Sequence, residues 1–81
     1  TSDDDHVPLL IDRALLTLED NSWTRREAAC DLLGAASVDH LGEVMMHKMT
    51  QALRRRIDED DDVDVSDAAR RALRNLQQSR D

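Results

Sequence analysis

Five consecutive acidic residues occupy positions 58–62 of this 81-residue chain and could bind a metal ion. Oxygen ligands at alternate positions are typical of a calcium-binding EF-hand loop. Counted from Asp60, however, the sixth position is Val65 where that loop needs glycine, and the twelfth is Arg71 where it needs an acid. The run therefore predicts a solvated turn that caps the following helix, with docking of a basic partner as the alternative.

Three histidines and one cysteine, Cys30, could bind zinc, and Cys30 could also act as a nucleophile. His40 and His47 are separated by six residues, more than the roughly three to five that usually separate paired zinc ligands. The carboxylate of Asp31 beside Cys30 opposes formation of the thiolate that a nucleophile requires. We predict no metal, no cofactor and no catalytic residue, with Cys30 packed in the core.

Arginine side chains could bind phosphate or acidic peptides if one face of the fold collects them. Five of them fall in two predicted helices: Arg25, Arg26, Arg70, Arg71 and Arg74. Another group, at residues 54–56, comes just before the acidic run, where cations complement the C-terminal end of a helix. Pairing of the five with nearby acids such as Glu27, Asp31 and Asp67 is the alternative to partner binding.

Four helical segments must position these groups, because apolar residues recur at three- and four-residue steps in four stretches. The first begins at Pro8 and runs to Leu18, and the second ends near residues 34–37. The third starts near Asp39 and ends in the acidic run, and the fourth stops before a polar tail from Gln77. The expected organisation is a flexible acidic segment at 1–6, hairpins at 7–38 and 39–78, and a tail at 79–81.

Each segment contributes an apolar face to one shared core. The predicted core residues of the first hairpin are Ile11, Ala14, Leu15, Leu18, Ala28, Ala29, Leu32, Leu33 and Ala36. Those of the second hairpin are Leu41, Met45, Met46, Met49, Ala52, Leu53, Ile57, Val65, Ala68, Ala69, Ala72, Leu73 and Leu76. The three methionines could instead form an adaptable surface for a partner.

Internal repetition is the strongest pattern in the sequence. A shift of forty residues aligns Glu19 with Glu59, Asp20 with Asp60, Ala28 with Ala68, Ala29 with Ala69 and Leu33 with Leu73. The same shift pairs Thr24 with Asp64, each followed three positions later by an acid, which predicts the N-cap of each second helix. Trp23 and Val63, which precede these caps, are predicted hydrophobic staples.

Two segments carry a resemblance to a known family. Residues 25–34 read RREAACDLLG and residues 65–74 read VSDAARRALR, which resembles the Val-Arg-x-x-Ala-Ala-x-x-Leu-Gly pattern of the second helix in HEAT repeats. Arg25, Ser66 and Arg74 depart from that pattern. The resemblance spans Pro8 to Gln78. It implies an all-α solenoid fragment of four helices in two HEAT-like hairpins, belonging to a larger helical-repeat protein.

Small side chains at the recurring alanines allow neighbouring helices to approach closely. We expect Ala28, Ala29, Ala68 and Ala69 to lie in the seam between the hairpins. Ala29→Leu or Ala69→Leu should then cost about 1 to 3 kcal/mol through overpacking. Because about three repeats are usually needed to bury a continuous core, a neighbouring segment or a second copy is expected to support these two.

Charge and composition narrow the function further. Asp and Glu outnumber Lys and Arg by 18 to 11, and the net charge of -7 disfavours nucleic acid. Apolar runs of three residues, such as Leu9 to Ile11, are too short to cross a membrane. A single cysteine cannot form an internal disulfide, which indicates a reducing compartment, the cytoplasm or the nucleus.

The sequence therefore predicts a non-enzymatic adaptor or scaffold that binds protein partners or other copies of itself. Binding of nucleic acid or phosphate along a basic strip on the second helices is the alternative. The candidate partner-binding residues are Arg26, Arg70, Arg71, Arg74, Asp60, Asp61 and Asp62.

Overall fold

Four α-helices and no strand make up the part of the chain that the computed structural model describes, residues 6–36 and 41–78. The helices are α1 (His6–Thr17), α2 (Trp23–Ala35), α3 (Glu43–Glu59) and α4 (Val63–Gln78). The predicted all-α class is confirmed. The predicted boundary between residues 38 and 39, most of the acidic segment at 1–6 and the tail at 79–81 lie outside the described residues.

The caps of α2 and α4 lie two residues before Thr24 and Asp64, and the cap of α4 comes from the acidic run, as predicted for that run. Ser22, and not Thr24, is the N-cap of α2, and the two hydroxyl oxygens are 2.8 Å apart. Before α4, Asp62 Oδ1 accepts the N–H of Asp64 at 2.8 Å and the N–H of Val65 at 3.2 Å. A carboxylate in this position satisfies backbone donors that the first helical turn leaves unpaired, so Asp62 stabilises the start of α4.

Two further expectations about helix starts are wrong. The predicted staples do not form, because Trp23 and Val63 are the first residues of their helices and are exposed. The third helix begins at Glu43, after Gly42, and not near Asp39. An acid in the first turn of α3 interacts favourably with the positive end of the helix dipole.

Contacts among the helices place the second helix of each hairpin at the centre. α1 packs on α2, α3 packs on α4, and the most extensive contact joins α2 to α4. The buried core residues are Ile11, Ala14, Leu18, Ala29, Cys30, Leu33, Met49, Leu53, Val65, Ala68, Ala69, Ala72 and Leu76. Partly buried residues packed against them are Leu15, Ala36, Leu41, Met45, Met46, Ala52, Ile57 and Leu73.

Most of the predicted core is therefore confirmed, and Cys30 is buried as expected. The prediction that Ala28 and Leu32 are core residues is wrong, since both side chains are exposed. α4 covers the side of α2 that carries Cys30 and Gly34, and this leaves the side with Ala28 and Leu32 uncovered.

Gly34 marks the closest approach between the two central helices. A Cβ atom added to Gly34 would lie 2.7 Å from Ala72 Cα and 2.9 Å from Ala72 Cβ. Carbon atoms in contact normally lie about 3.5 to 4.0 Å apart, so no larger residue fits without moving a helix. The glycine that the sequence places near the end of α2 is therefore a packing residue of the seam between α2 and α4.

Candidate functional site

The loops that lead into α2 and α4 fold alike. Asp20 Oδ1 accepts the N–H of Ser22 at 2.8 Å, and Asp60 Oδ1 accepts the N–H of Asp62 at 2.9 Å. Each aspartate thus closes the same side-chain-to-backbone turn before its helix. The forty-residue equivalence found in the sequence holds for these loops and for the starts of both helices, at residues 23 and 63.

An ion pair between Arg26 and Asp60 joins the two loops. Arg26 Nε lies 2.8 Å from Asp60 Oδ2, and Arg26 Nη2 lies 3.2 Å from Asp60 Oδ1. The remaining guanidinium nitrogen, Nη1, donates to the carbonyl oxygens of Asp20 at 2.8 Å and Asn21 at 3.1 Å. Only 15% of the Arg26 side chain and 1% of the Asp60 side chain are exposed. This pair therefore ties the loop of the first hairpin to the loop of the second.

Arg56 extends this cluster from the end of α3. Its Nη1 donates to Asp60 Oδ2 at 3.3 Å, and its Nη2 lies 3.6 Å from Glu19 Oε2. The Nε of Arg56 is buried and has no hydrogen-bond partner among the described residues. Arg55 also pairs with the acidic run, with its Nε 3.5 Å from Glu59 Oε1, so two of the arginines at residues 54–56 neutralise acids at residues 58–62.

Proton equilibria in the cluster follow from these contacts. Burial by itself would raise the pKa of the Asp60 carboxyl, but the N–H of Asp62 and the guanidinium of Arg26 outweigh it and lower that pKa below its usual value. The hydrogen bond to Asp60 raises the pKa of Arg26 above its usual value. The hydrogen bond from the N–H of Ser22 lowers the pKa of Asp20. All three groups are therefore charged at neutral pH.

The structure separates the seven predicted partner-binding residues into two groups. Arg26 and Asp60 bind each other, and Asp62 caps α4. The other four are exposed: Asp61, Arg70, Arg71 and Arg74. The basic strip predicted along both second helices thus loses Arg26, whose charge is neutralised by Asp60, and retains the exposed Arg25 on α2 and the arginines of α4.

Pairing of the α4 arginines with nearby acids is observed at one position. Arg70 Nη1 donates to Asp67 Oδ1 at 3.3 Å, and both side chains are well exposed. An exposed ion pair of this kind contributes little to stability, because solvent screens it. The guanidinium of Arg70 therefore remains accessible to an anionic partner.

An apolar groove between α1 and α2 is a surface that the sequence did not predict. It has a volume of about 210 Å³ and is lined by Leu10, Arg13, Ala14, Thr17, Arg25, Ala28, Ala29 and Leu32. Leu10 is 52% exposed and Leu32 is 43% exposed. The pattern of apolar residues placed Leu32 in the core, since periodicity identifies an apolar face and not the helix that covers it.

Thiol chemistry at Cys30 is disfavoured by its surroundings. The side chain is fully buried, and its sulfur lies 4.0 Å from the carbonyl oxygen of Val65. Burial, with a further contribution from the charge of Asp31, raises the pKa of the Cys30 thiol from 9.0 to about 11. A neutral, enclosed thiol is a packing residue and a poor nucleophile.

A polar depression between the two loops is the other concave feature of this end of the molecule. Its lining is mostly charged: Glu19, Asp20, Asn21, Arg26, Arg56, Glu59, Asp60 and Asp61. The arginines there already bind acids of the same cluster. Across the described residues, no three histidine, cysteine or acidic side chains come together in a way that could hold a metal ion.

No protein-family model matches the chain, and neither curated proteins nor solved structures give a significant match. Within residues 6–36 and 41–78, no helix is both long enough and apolar enough to cross a membrane.

Proposed function

We propose that this chain is a non-catalytic protein-interaction module, made of two HEAT-like helical hairpins, that binds a protein partner in the groove between α1 and α2. The exposed apolar lining of that groove is the observation that carries the proposal. Leu10 and Leu32 stand on adjacent helices and flank Ala28, so the three side chains form one concave apolar surface. Contiguous apolar surface with a charged rim is typical of binding sites on small domains.

The energetics of the groove favour a protein partner over a polar ligand. Burying a leucine side chain completely contributes about 1.5 to 3 kcal/mol, and both leucines are partly exposed in the free chain. Arg13 and Arg25 border the apolar floor and stand out in a chain whose net charge is -7. We therefore expect a partner that packs apolar atoms against the floor and carries polar or charged groups at the rim.

Site-specific photo-crosslinking tests this proposal. A photoreactive side chain at position 32 should capture a discrete protein, whereas the same group at position 16 should not. Leu16 is a matched control because it lies on α1, is 76% exposed and does not line the groove. Each captured protein is then purified, and its affinity for the unmodified chain is measured by calorimetry.

A charge substitution gives the second part of the test. Leu32→Glu should weaken binding of the purified partner at least about tenfold, since roughly 1.4 kcal/mol of lost apolar burial suffices for that change. Leu16→Glu should leave the affinity unchanged. Equal affinities for the two variants, or crosslinking at neither position, would show that the groove is not the binding site.

Binding of nucleic acid or phosphate groups is a second candidate function. It is supported by the exposure of Arg70, Arg71 and Arg74 on a single helix. Binding to a fluorescent DNA or RNA duplex, measured at several salt concentrations, tests it directly. Tight binding with a steep salt dependence that is lost in the triple variant Arg70→Glu, Arg71→Glu, Arg74→Glu would favour this candidate over protein binding.

A further inference from the structure

The exposed side of α2 corresponds, residue by residue, to a side of α4 that is buried. Under the forty-residue shift, Arg25, Ala28 and Leu32 correspond to Val65, Ala68 and Ala72. The first three are exposed and the last three are buried. The first hairpin therefore presents to solvent the same positions that the second hairpin uses to bind the first.

The first hairpin also shows which residues fill such a face. Cys30 of α2 lies against Val65, and Gly34 lies against Ala72. Arg26, one turn before Cys30, reaches across to Asp60. The filling element is thus a helix with an arginine, a small residue and a glycine at successive four-residue steps. These three residues lie along one face of the helix.

The first hairpin also has an acceptor for such an arginine, Asp20, at the position that corresponds to Asp60. Asp20 is held in the same turn as Asp60, and its carboxylate lies at the corresponding place. Asp20 Oδ2 lies 3.4 Å from Arg25 Nη1, in a pair that is screened by solvent. This contact is longer than the 2.8 Å contact between Asp60 Oδ2 and Arg26. Since the Asp20 side chain is 30% exposed, its carboxylate can accept a second guanidinium.

We propose that the groove between α1 and α2 binds a further helical hairpin whose second helix presents arginine, a small residue and glycine at four-residue steps, with the arginine paired to Asp20. This inference rests on the proposed protein-binding function and specifies the partner. Leu32 is larger than its counterpart Ala72, so the partner's glycine lies opposite Leu32 and the two helices stand further apart there than α2 and α4 do at Gly34. Leu10 of α1 then covers the flank of the incoming helix.

The second hairpin of another copy of this chain cannot be that partner. Its second helix, α4, carries Ser66, Arg70 and Arg74 at the positions of Arg26, Cys30 and Gly34. The hydroxyl of Ser66 lies 3.4 Å from the carbonyl oxygens of Arg56 and Ile57. Arg70 and Arg74 are exposed. A second copy stacked head to tail would place Arg74 where the seam accepts only glycine. The chain is therefore open to stacking on one side and closed on the other.

A fusion protein tests the proposal with the whole chain kept intact. A copy of residues 1–40 is joined in front of the 81-residue chain, so that the added hairpin carries the required arginine, cysteine and glycine. Urea unfolding should then show one transition with a higher midpoint and an m-value roughly 1.5-fold larger, since m scales with the surface exposed on unfolding. The control fusion adds residues 41–80 instead, and should leave the midpoint of the original chain unchanged.

A variant of the receiving groove keeps the test independent of how well the added copy folds. Leu32→Glu in the receiving hairpin should leave the unfused chain as stable as before, because the side chain is exposed there, and should abolish the gain in the fusion. An unchanged midpoint in the first fusion, or an equal gain with Leu32→Glu, would overturn the proposed partner. If photo-crosslinking at position 32 still captured a protein in that case, the interaction function would stand and only the partner class would be wrong.

Discussion

Replacement of Gly34 by alanine tests the contact on which the pairing of the hairpins depends. The new Cβ would lie 2.7 Å from Ala72 Cα and 2.9 Å from Ala72 Cβ. Since the nearer atom belongs to the backbone of α4, no side-chain rotation relieves the clash. α2 and α4 must separate by about 1 Å to restore a normal carbon–carbon distance.

The magnitude follows from two opposing effects. Overpacking of this kind costs about 1 to 3 kcal/mol. Alanine inside a helix returns about 0.5 to 1 kcal/mol relative to glycine. The midpoints of the two ranges, about 2 and about 0.75 kcal/mol, leave a net loss of roughly 1 kcal/mol. Each 1 kcal/mol corresponds to a decrease in Tm of roughly 4 to 8 °C for a domain of this size.

Thermal unfolding followed by circular dichroism measures the effect. The control is Gly42→Ser, because a Cβ added to Gly42 meets no atom within 4 Å and serine is a preferred residue at an N-cap. Gly42→Ser should melt at the wild-type temperature or above it. A Gly34→Ala variant with an unchanged or higher Tm would refute the close approach of the central helices.

Three further predictions concern the seam, the ion pair and the thiol. Ala68→Leu should cost about 1 to 3 kcal/mol by urea unfolding, because Ala68 is buried, whereas Ala28→Leu at the equivalent exposed position should cost little; equal losses would contradict the assigned burial. Asp60→Asn should cost about 3 kcal/mol, since it leaves Arg26 without its counter-charge. In the wild type the contribution of Asp60 is present above pH 3.8 and is lost as the pH falls through its lower folded pKa, so the wild type and Asp60→Asn should converge in stability in acid. Between pH 9.0 and about 11 the unfolded chain loses the Cys30 proton while the folded chain retains it, so stability should fall by roughly 2 to 3 kcal/mol across that window, a decrease that is absent in Cys30→Ala.

Helix content and most of the core could be predicted from the sequence, because apolar residues at three- and four-residue steps specify one face of a helix. That rule succeeds for Leu53 and Leu76, which are buried by neighbouring helices. It fails for Leu32, where the apolar face is present and no helix of the described chain covers it. Leu32 and Ala72 occupy equivalent positions forty residues apart. The sequence alone does not show that one is exposed and the other buried, because it does not show which side of each hairpin packs on the other.

The ion pair between the hairpins could not be predicted from the sequence, for a different reason. The sequence suggests partners for Arg26 on its own helix, such as Glu27 and Asp31, although neither lies three or four residues away, the spacing at which helical side chains pair. Its actual partner, Asp60, is 34 residues away and is brought close by the packing of α2 on α4. The sequence offers one indication of this, since Arg26 is replaced by Ser66 in the second repeat while Asp20 and Asp60 are identical.

The bidentate contact between Arg26 and Asp60 also determines how far one hairpin can slide along the other. The close contact between Gly34 and Ala72 already disfavours other registers, because sliding α2 along α4 would bring a larger residue opposite Ala72. A shift of one helical turn, about 5.4 Å, would break both bonds of the guanidinium to the carboxylate and strand two charges away from water. The small residues therefore let the helices approach closely, and the glycine contact and the charged pair together fix one alignment.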